Sequence, residues 1–128
     1  MKLSKVEHIA IVVKDIDQAM RLYQSVLGLE LEGIEVYEEY QARLALLRLG
    51  DCLIELIQDL GSDGEYANFI KERGEGLHHI CFEVDDIEEA LRELEKTGIP
   101  LFDHKARQGH QGSKIAFLNP SGANGVLL

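Results

Sequence analysis

Three residues of this 128-residue chain can bind metals or carry protons, yet they stand where aliphatic side chains would pack better: His8, Glu55 and His79. His79 belongs to "GEGLHHICFEVDD", Gly74 to Asp86, which reads as an apolar strand running into a helix. Alternate residues of a strand share a face, so Ile80, Phe82 and Val84 form a bulky row and His79 and Cys81 the other. In "VEHIAIVV" the same phase puts Ile9, Ile11 and Val13 together and sets His8 beside Ala10. A polar residue followed by a small one on the same face leaves space, as the lining of a concave site requires. His79, rather than His78, is therefore the imidazole expected to point into a site, with His8 as its twin. Glu55 in "CLIELIQ" shares its face with Leu53 and Ile57, where an unneutralised carboxylate costs at least several kcal/mol. Two neutral imidazoles and a carboxylate suit a divalent transition ion such as Zn, Ni, Co, Fe or Mn, with positions left for water or substrate. Each residue also has a plainer reading. A strand histidine is commonly satisfied by a hydrogen bond, and Glu55 would serve as a water-facing edge residue or as a partner of Arg48.

The elements that must position these residues repeat. "VEHIAIVV" reads as a strand, and the following "KDIDQAMRLYQSVLG" as an amphipathic helix with Asp15 and Gln18 as a capping box and Gly28 as its stop. Three strand-like runs come next, "LELEGIEVYEEY", "ARLALLRLG" and "DCLIELIQ", the last two separated by a Gly50-Asp51 turn. A shift of 71 positions lays "EHIAIVVKDIDQAMR" on "HHICFEVDDIEEALR", so that His8 meets His79 and Asp15 meets Asp86. The spacing predicts a second helix over Ile87, Ala90, Leu91 and Leu94 with an Asp86/Glu89 capping box, and "LALL" falls on "IAFL" at the same offset. The chain is thus a tandem βαβββ duplication of the α+β class. It is expected to fold as a single domain over residues 1–128, with a first module at 1–60, a linker at 61–75 that includes the helical candidate "EYANFIKERG", and a second module at 76–128. Carried through the longer turn "NPSGAN", the second-module counterpart of Glu55 falls one place past Leu128.

Composition bounds the function. A formal charge of −10 with no basic stripe argues against nucleic acid. The apolar runs are too short to cross a bilayer and the first residues do not form a signal peptide, so no membrane partner and a cytoplasmic location are expected. Cys52 and Cys81 fall inside apolar runs and read as free, buried thiols. His104 and His110 read as exposed.

The duplication and its three polar residues resemble the vicinal oxygen chelate superfamily, which includes glyoxalases, bleomycin-resistance proteins and dioxygenases. Within it the chain is most similar to the methylmalonyl-CoA epimerase family. "EHIAIVVKDIDQAM", "LRLGDCLIELIQDLG", "KERGEGLHH" and "KIAFLNPS" carry the likeness. The resemblance implies an open, incompletely closed mixed β-barrel with flanking helices, and a divalent metal held by His8, Glu55 and His79. It implies that the α-proton of an acyl-CoA thioester moves through an enolate, and Glu55 is the candidate to serve as ligand and base at once. The family's further glutamate falls near Leu44, where nothing titrates, and Glu38 and Glu39 read as solvated strand-end charges. Arg107 and Lys114, flanking "QGHQGS", are candidates for a CoA phosphate. Lactoylglutathione lyase, the glyoxalase I of the superfamily, is the alternative enzyme, and a non-catalytic small-molecule-binding protein of the same fold is the third reading. A homodimer is expected from the family.

Overall fold

The computed structural model describes residues 1–128. Its elements run β1 (Leu3–Val12), α1 (Ile16–Met20, continued by a π-helical turn over Arg21–Val26), β2 (Glu30–Tyr37), β3 (Ala42–Leu49), β4 (Cys52–Asp59), α2 (Glu65–Arg73), β5 (Gly76–Val84), α3 (Ile87–Thr97), β6 (Arg107–Gln108) and β7 (Lys114–Ile115). Five strands make a mixed sheet in the order β2-β3-β4-β1-β5, which does not close into a barrel, and β6 and β7 form a separate ribbon. β1 runs parallel to β4, whereas β3 is antiparallel to both β2 and β4. No helix is long and apolar enough to cross a membrane. The chain divides into two compact units, Glu7–His78 and a second made of Met1–Val6 with His79–Leu128.

Within Glu7–His78 the sheet is covered on both faces, and side-chain alternation assigns every strand residue to one of them. On the first face Ile11, Ile54, Leu56, Ala45 and Leu47 pack with Ile16, Ala19, Met20 and Tyr23, which follow the strand as α1 and its π-helical continuation. This is the bulky row expected to cover the helix. Asp15 caps α1 by accepting from Gln18 N at 3.2 Å, as the capping-box spacing predicts. The opposite face carries Ala10, Val12, Ala42, Leu44 and Ile57, covered toward one end by Tyr66, Phe69 and Ile70 of α2. α2, the expected linker helix, has glycine at its N-cap position, so Asp59 does the capping from β4 and accepts from Ala67 N at 3.1 Å. Its Tyr66 and Phe69 rings stand 5.2 and 5.1 Å from the imidazole of His78. His78 is therefore a packed side chain beneath α2, with Glu65 3.5 Å from its Nε2.

One irregularity breaks the regular alternation. β2 pairs Leu31 with Leu47 but Gly33 with Leu46, so a bulge intervenes at Glu32. Leu31 faces α1, and the extra residue sends Gly33, Glu35 and Tyr37 to the opposite side, because one inserted residue reverses the phase of all that follow. Arg48 holds the bulge from β3, its Nη2 reaching both Glu32 carboxylate oxygens at 3.0 Å.

In the second unit α3 buries Ala90 and Leu91 and carries the predicted cap, Asp86 accepting from Glu89 N at 3.1 Å. The three strands expected after this helix are fragmentary. β6 and β7 are two residues each, Leu101 and Leu118 form an isolated bridge, and the turns at His110–Gly112 and Pro120–Gly122 interrupt the rest. The glycines and prolines of "QGHQGS" and "NPSG" stop the ladder. Leu127 O nevertheless accepts from Ile80 N at 3.2 Å and Leu128 O from Leu118 N at 2.9 Å. In the first unit Ile54 lies between Ile9 and Leu47 in the same way, which makes Leu128 the counterpart of Ile54.

Candidate active site

β1 and β4 run parallel with Ala10 directly opposite Glu55, and this register sets His8 one row away on the same face. His8 is 3% exposed and Glu55 5%, so Glu55 is not a water-facing edge residue. Arg48 is not its partner either, being paired with Glu32. His8 Nε2 lies 3.6 Å from Glu55 Oε2, and His8 Nδ1 lies 2.6 Å from Glu7 Oε1. A carboxylate has no proton to give, so Nδ1 must donate to Glu7, and in the neutral ring the lone pair of Nε2 then points toward the Glu55 oxygen. Two lone pairs aimed at each other repel unless a positive charge lies between or beside them. A proton held by the ring or by the carboxyl supplies that charge, and so does a cation bound by both atoms. Two donors each about 2.1 Å from one ion in tetrahedral disposition are about 3.4 Å apart. The observed 3.6 Å is close to this, and the Glu7–His8 bond is the carboxylate–imidazole support common behind metal-ligating histidines. The residues present fit a divalent ion.

In the second unit His79 is 4% exposed and packs at right angles to the Phe117 ring, with centroids 5.1 Å apart at 88°. Arg107 lies over the same Phe117 ring, its guanidinium carbon 4.7 Å from the centroid. Asp103 ties the group together, its Oδ2 accepting from Arg107 Nε at 3.1 Å and from Phe117 N at 2.9 Å. Lys114 pairs with Arg107's strand neighbour Gln108 across the ribbon, and its Nζ lies 3.2 Å from exposed Glu88. The predicted anion-binding residues thus differ in setting: Arg107 is half-buried and oriented, Lys114 solvated.

Some expectations need correction. His110 is buried, at 7% exposure, rather than exposed: Gly109 N to Ser113 O and Ser113 N to His110 O bonds fold its loop inward. His104 is exposed as expected and lies 3.0 Å from Glu95. Leu44 is buried, and Glu38 and Glu39 are exposed at the turn after β2. Two carboxylates of these strands, Glu7 and Glu35, were not singled out from sequence. Glu7 precedes His8 in the strand and would have been found by asking which neighbour could fix the ring. Glu35 faces the Glu55 side only because of the bulge, which "ELEGIEVY" signals weakly through its glycine.

Comparison with known proteins follows the same lines. Residues 7–117 match the sequence profile described as Glyoxalase/Bleomycin resistance protein/Dioxygenase superfamily. The uncharacterised protein YqjC of Bacillus subtilis (strain 168) is 37% identical over 126 residues, covering 98% of this chain and 90% of that protein. The mitochondrial methylmalonyl-CoA epimerase of Bos taurus is 35% identical, over 98% of this chain and 73% of its own. Among solved structures, a methylmalonyl-CoA epimerase in complex with methylmalonyl-CoA and NH4+ superimposes with a TM-score of 0.93 at 30% identity, covering 98% of this chain and 92% of the other.

Proposed function

The chain belongs to the glyoxalase/bleomycin resistance protein/dioxygenase superfamily, and from that premise we propose that it is a metal-dependent epimerase of the methylmalonyl-CoA type, in which His8, Glu55 and His79 hold one divalent ion. The observation that carries the reading is the pair of buried donors, His8 Nε2 and Glu55 Oε2, facing each other at 3.6 Å with the far nitrogen of the ring already committed to Glu7. The relatives named as epimerases supply the substrate class, a malonyl-type acyl-CoA thioester.

The reaction removes a proton from the carbon between a thioester carbonyl and a carboxylate and returns one to the opposite face. Loss of the proton leaves an enolate. A bound divalent ion supplies Lewis-acid stabilisation of that charge, worth several kcal/mol, where each ~1.4 kcal/mol is tenfold in rate. Glu7 keeps the His8 ring in one tautomer. Ala10, opposite Glu55 and fully buried, leaves the space a larger side chain would fill. Glu55 carries the proton on one face of the substrate carbon. Arg107, held by Asp103 over Phe117, and Lys114 receive the phosphates of the CoA moiety. A cytoplasmic homodimer completes the reading, and sedimentation at micromolar concentration tests its stoichiometry.

The test is loss of the α-proton of methylmalonyl-CoA in deuterated water, followed by mass spectrometry, with metal-loaded protein. Exchange accompanied by conversion of one epimer into the other is expected. Turnover of a glutathione hemithioacetal without any exchange on the acyl-CoA would replace this reading by that of a lactoylglutathione lyase.

A further inference from the structure

Epimerisation needs a second proton-carrying group, on the face of the substrate carbon that Glu55 does not serve. From the geometry of β2 we infer that this group is the carboxylate of Glu35, which deepens the epimerase reading above and rests on it. Glu35 lies directly across from Leu44 on β3, as Gly33 does from Leu46, and Leu46 lies directly across from Glu55 on β4. Residues paired in this way share a face, so Glu35 and Glu55 both project from the side that carries His8 and Ala10. β2 and β4 are two strand spacings apart, about 10 Å, and the one-row offset adds about 7 Å along the strands. The two backbone positions are therefore about 12 Å apart, a span wide enough for a small acyl group to lie between the two side chains.

The placement of Glu35 depends on the bulge. Without the extra residue at Glu32, Glu35 and Tyr37 would fall in phase with Leu31 and face α1, while Ile34 and Val36 would take the other side. Instead Ile34 and Val36 are 41% and 55% exposed, and the half-buried positions belong to a glutamate and a tyrosine. A strand that exposes its β-branched residues and turns inward a carboxylate bonded to a hydroxyl sacrifices packing, as expected where a polar group must face a ligand. Tyr37 donates its hydroxyl to Glu35 Oε2 at 3.0 Å. On β3 the residues facing this pair are Ala42, Leu44 and Leu46, none of which titrates.

In the reaction the α-carbon–hydrogen bond of one epimer breaks, its electron pair passes into the enolate, and the proton forms an O–H bond on Glu35. Protonated Glu55 delivers its own proton to the opposite face, and the two carboxyl groups return to their starting states by exchange with water. The other epimer uses the same groups in reverse. No oxidant or second substrate enters.

The experiment follows each epimer separately in deuterated water with wild-type protein, Glu35→Gln and Tyr37→Phe, all at measured and equal metal content. For Glu35→Gln the expected result is conversion slowed by about 10²–10⁴-fold, while one epimer still exchanges its α-proton through Glu55 without inverting. Tyr37→Phe, which removes only the hydroxyl that orients the carboxylate and keeps the carboxylate itself, should retain conversion and exchange of both epimers at a reduced rate. Conversion by Glu35→Gln at the wild-type rate overturns the assignment. Equal loss of exchange from both epimers also overturns it, since a group on one face cannot produce that result. If the wild-type protein exchanges neither epimer, the epimerase reading itself falls, and this inference with it.

Discussion

Replacing Glu55 by leucine should stabilise the metal-free protein while removing its response to metal. The carboxylate is 5% exposed, and the residues directly across from it on β1 and β3, Ala10 and Leu46, are fully buried. Without an ion, a protonated His8 ring offsets its charge. At 3.6 Å such a pair attracts by about 5 kcal/mol at an effective dielectric constant of 20, against a desolvation cost of several kcal/mol for each charge. Eliminating both charges of such a buried pair in favour of apolar groups is typically neutral or favourable by about 1–4 kcal/mol, whereas removing one charge and leaving the other buried is costly. Removing Glu55 also strands no charge, because His8 can release its proton and keep its bond to Glu7. Metal-free Glu55→Leu should therefore unfold at higher urea than metal-free wild type, by up to ~4 kcal/mol. Adding divalent ion at 100 times its dissociation constant should then raise the wild type by about 2.7 kcal/mol and leave the variant unchanged. Urea denaturation followed by circular dichroism, with and without metal, reads both effects. A metal-free variant several kcal/mol less stable than wild type would refute the argument, as would a variant that still gains stability from the ion.

Glu7→Ala should lower metal affinity by about 10–100-fold, measured by chelator competition, because the His8 ring loses the bond that fixes its tautomer. His79→Ala should bind no metal, whereas His78→Ala should bind it normally and lose about 2–3 kcal/mol of stability from the contacts with Tyr66 and Phe69. Equal loss of metal from both would show that the face of β5 has been misassigned. Asp59→Ala should cost about 1 kcal/mol in urea denaturation by leaving the first turn of α2 uncapped, with metal content unchanged.

Much of the architecture was legible because it is written twice. The shift that lays His8 on His79 also lays Asp15 on Asp86, and both aspartates cap helices as their spacing requires. Alternation in β1 sorted His8 and Ala10 from Ile9, Ile11 and Val13, since apolar periodicity is a strong local signal. Three features escaped for a common reason: each depends on pairing between distant residues. The bulge opposite Leu46 and Leu47 turns Glu35 inward against the usual apolar-in rule. His110 is buried by a loop whose sequence, rich in glycine and polar residues, reads as solvent-exposed. The strands after α3 shrink to fragments because a register of hydrogen bonds, and not the apolar content of "KIAFL" alone, decides where a ladder persists.

Anomalous diffraction at the metal's absorption edge, from crystals of the metal-loaded protein, identifies directly which atoms hold the ion. A single peak is expected within bonding distance of His8 Nε2, a Glu55 carboxylate oxygen and a ring nitrogen of His79. A peak bound elsewhere, or none there at saturating metal, would contradict it.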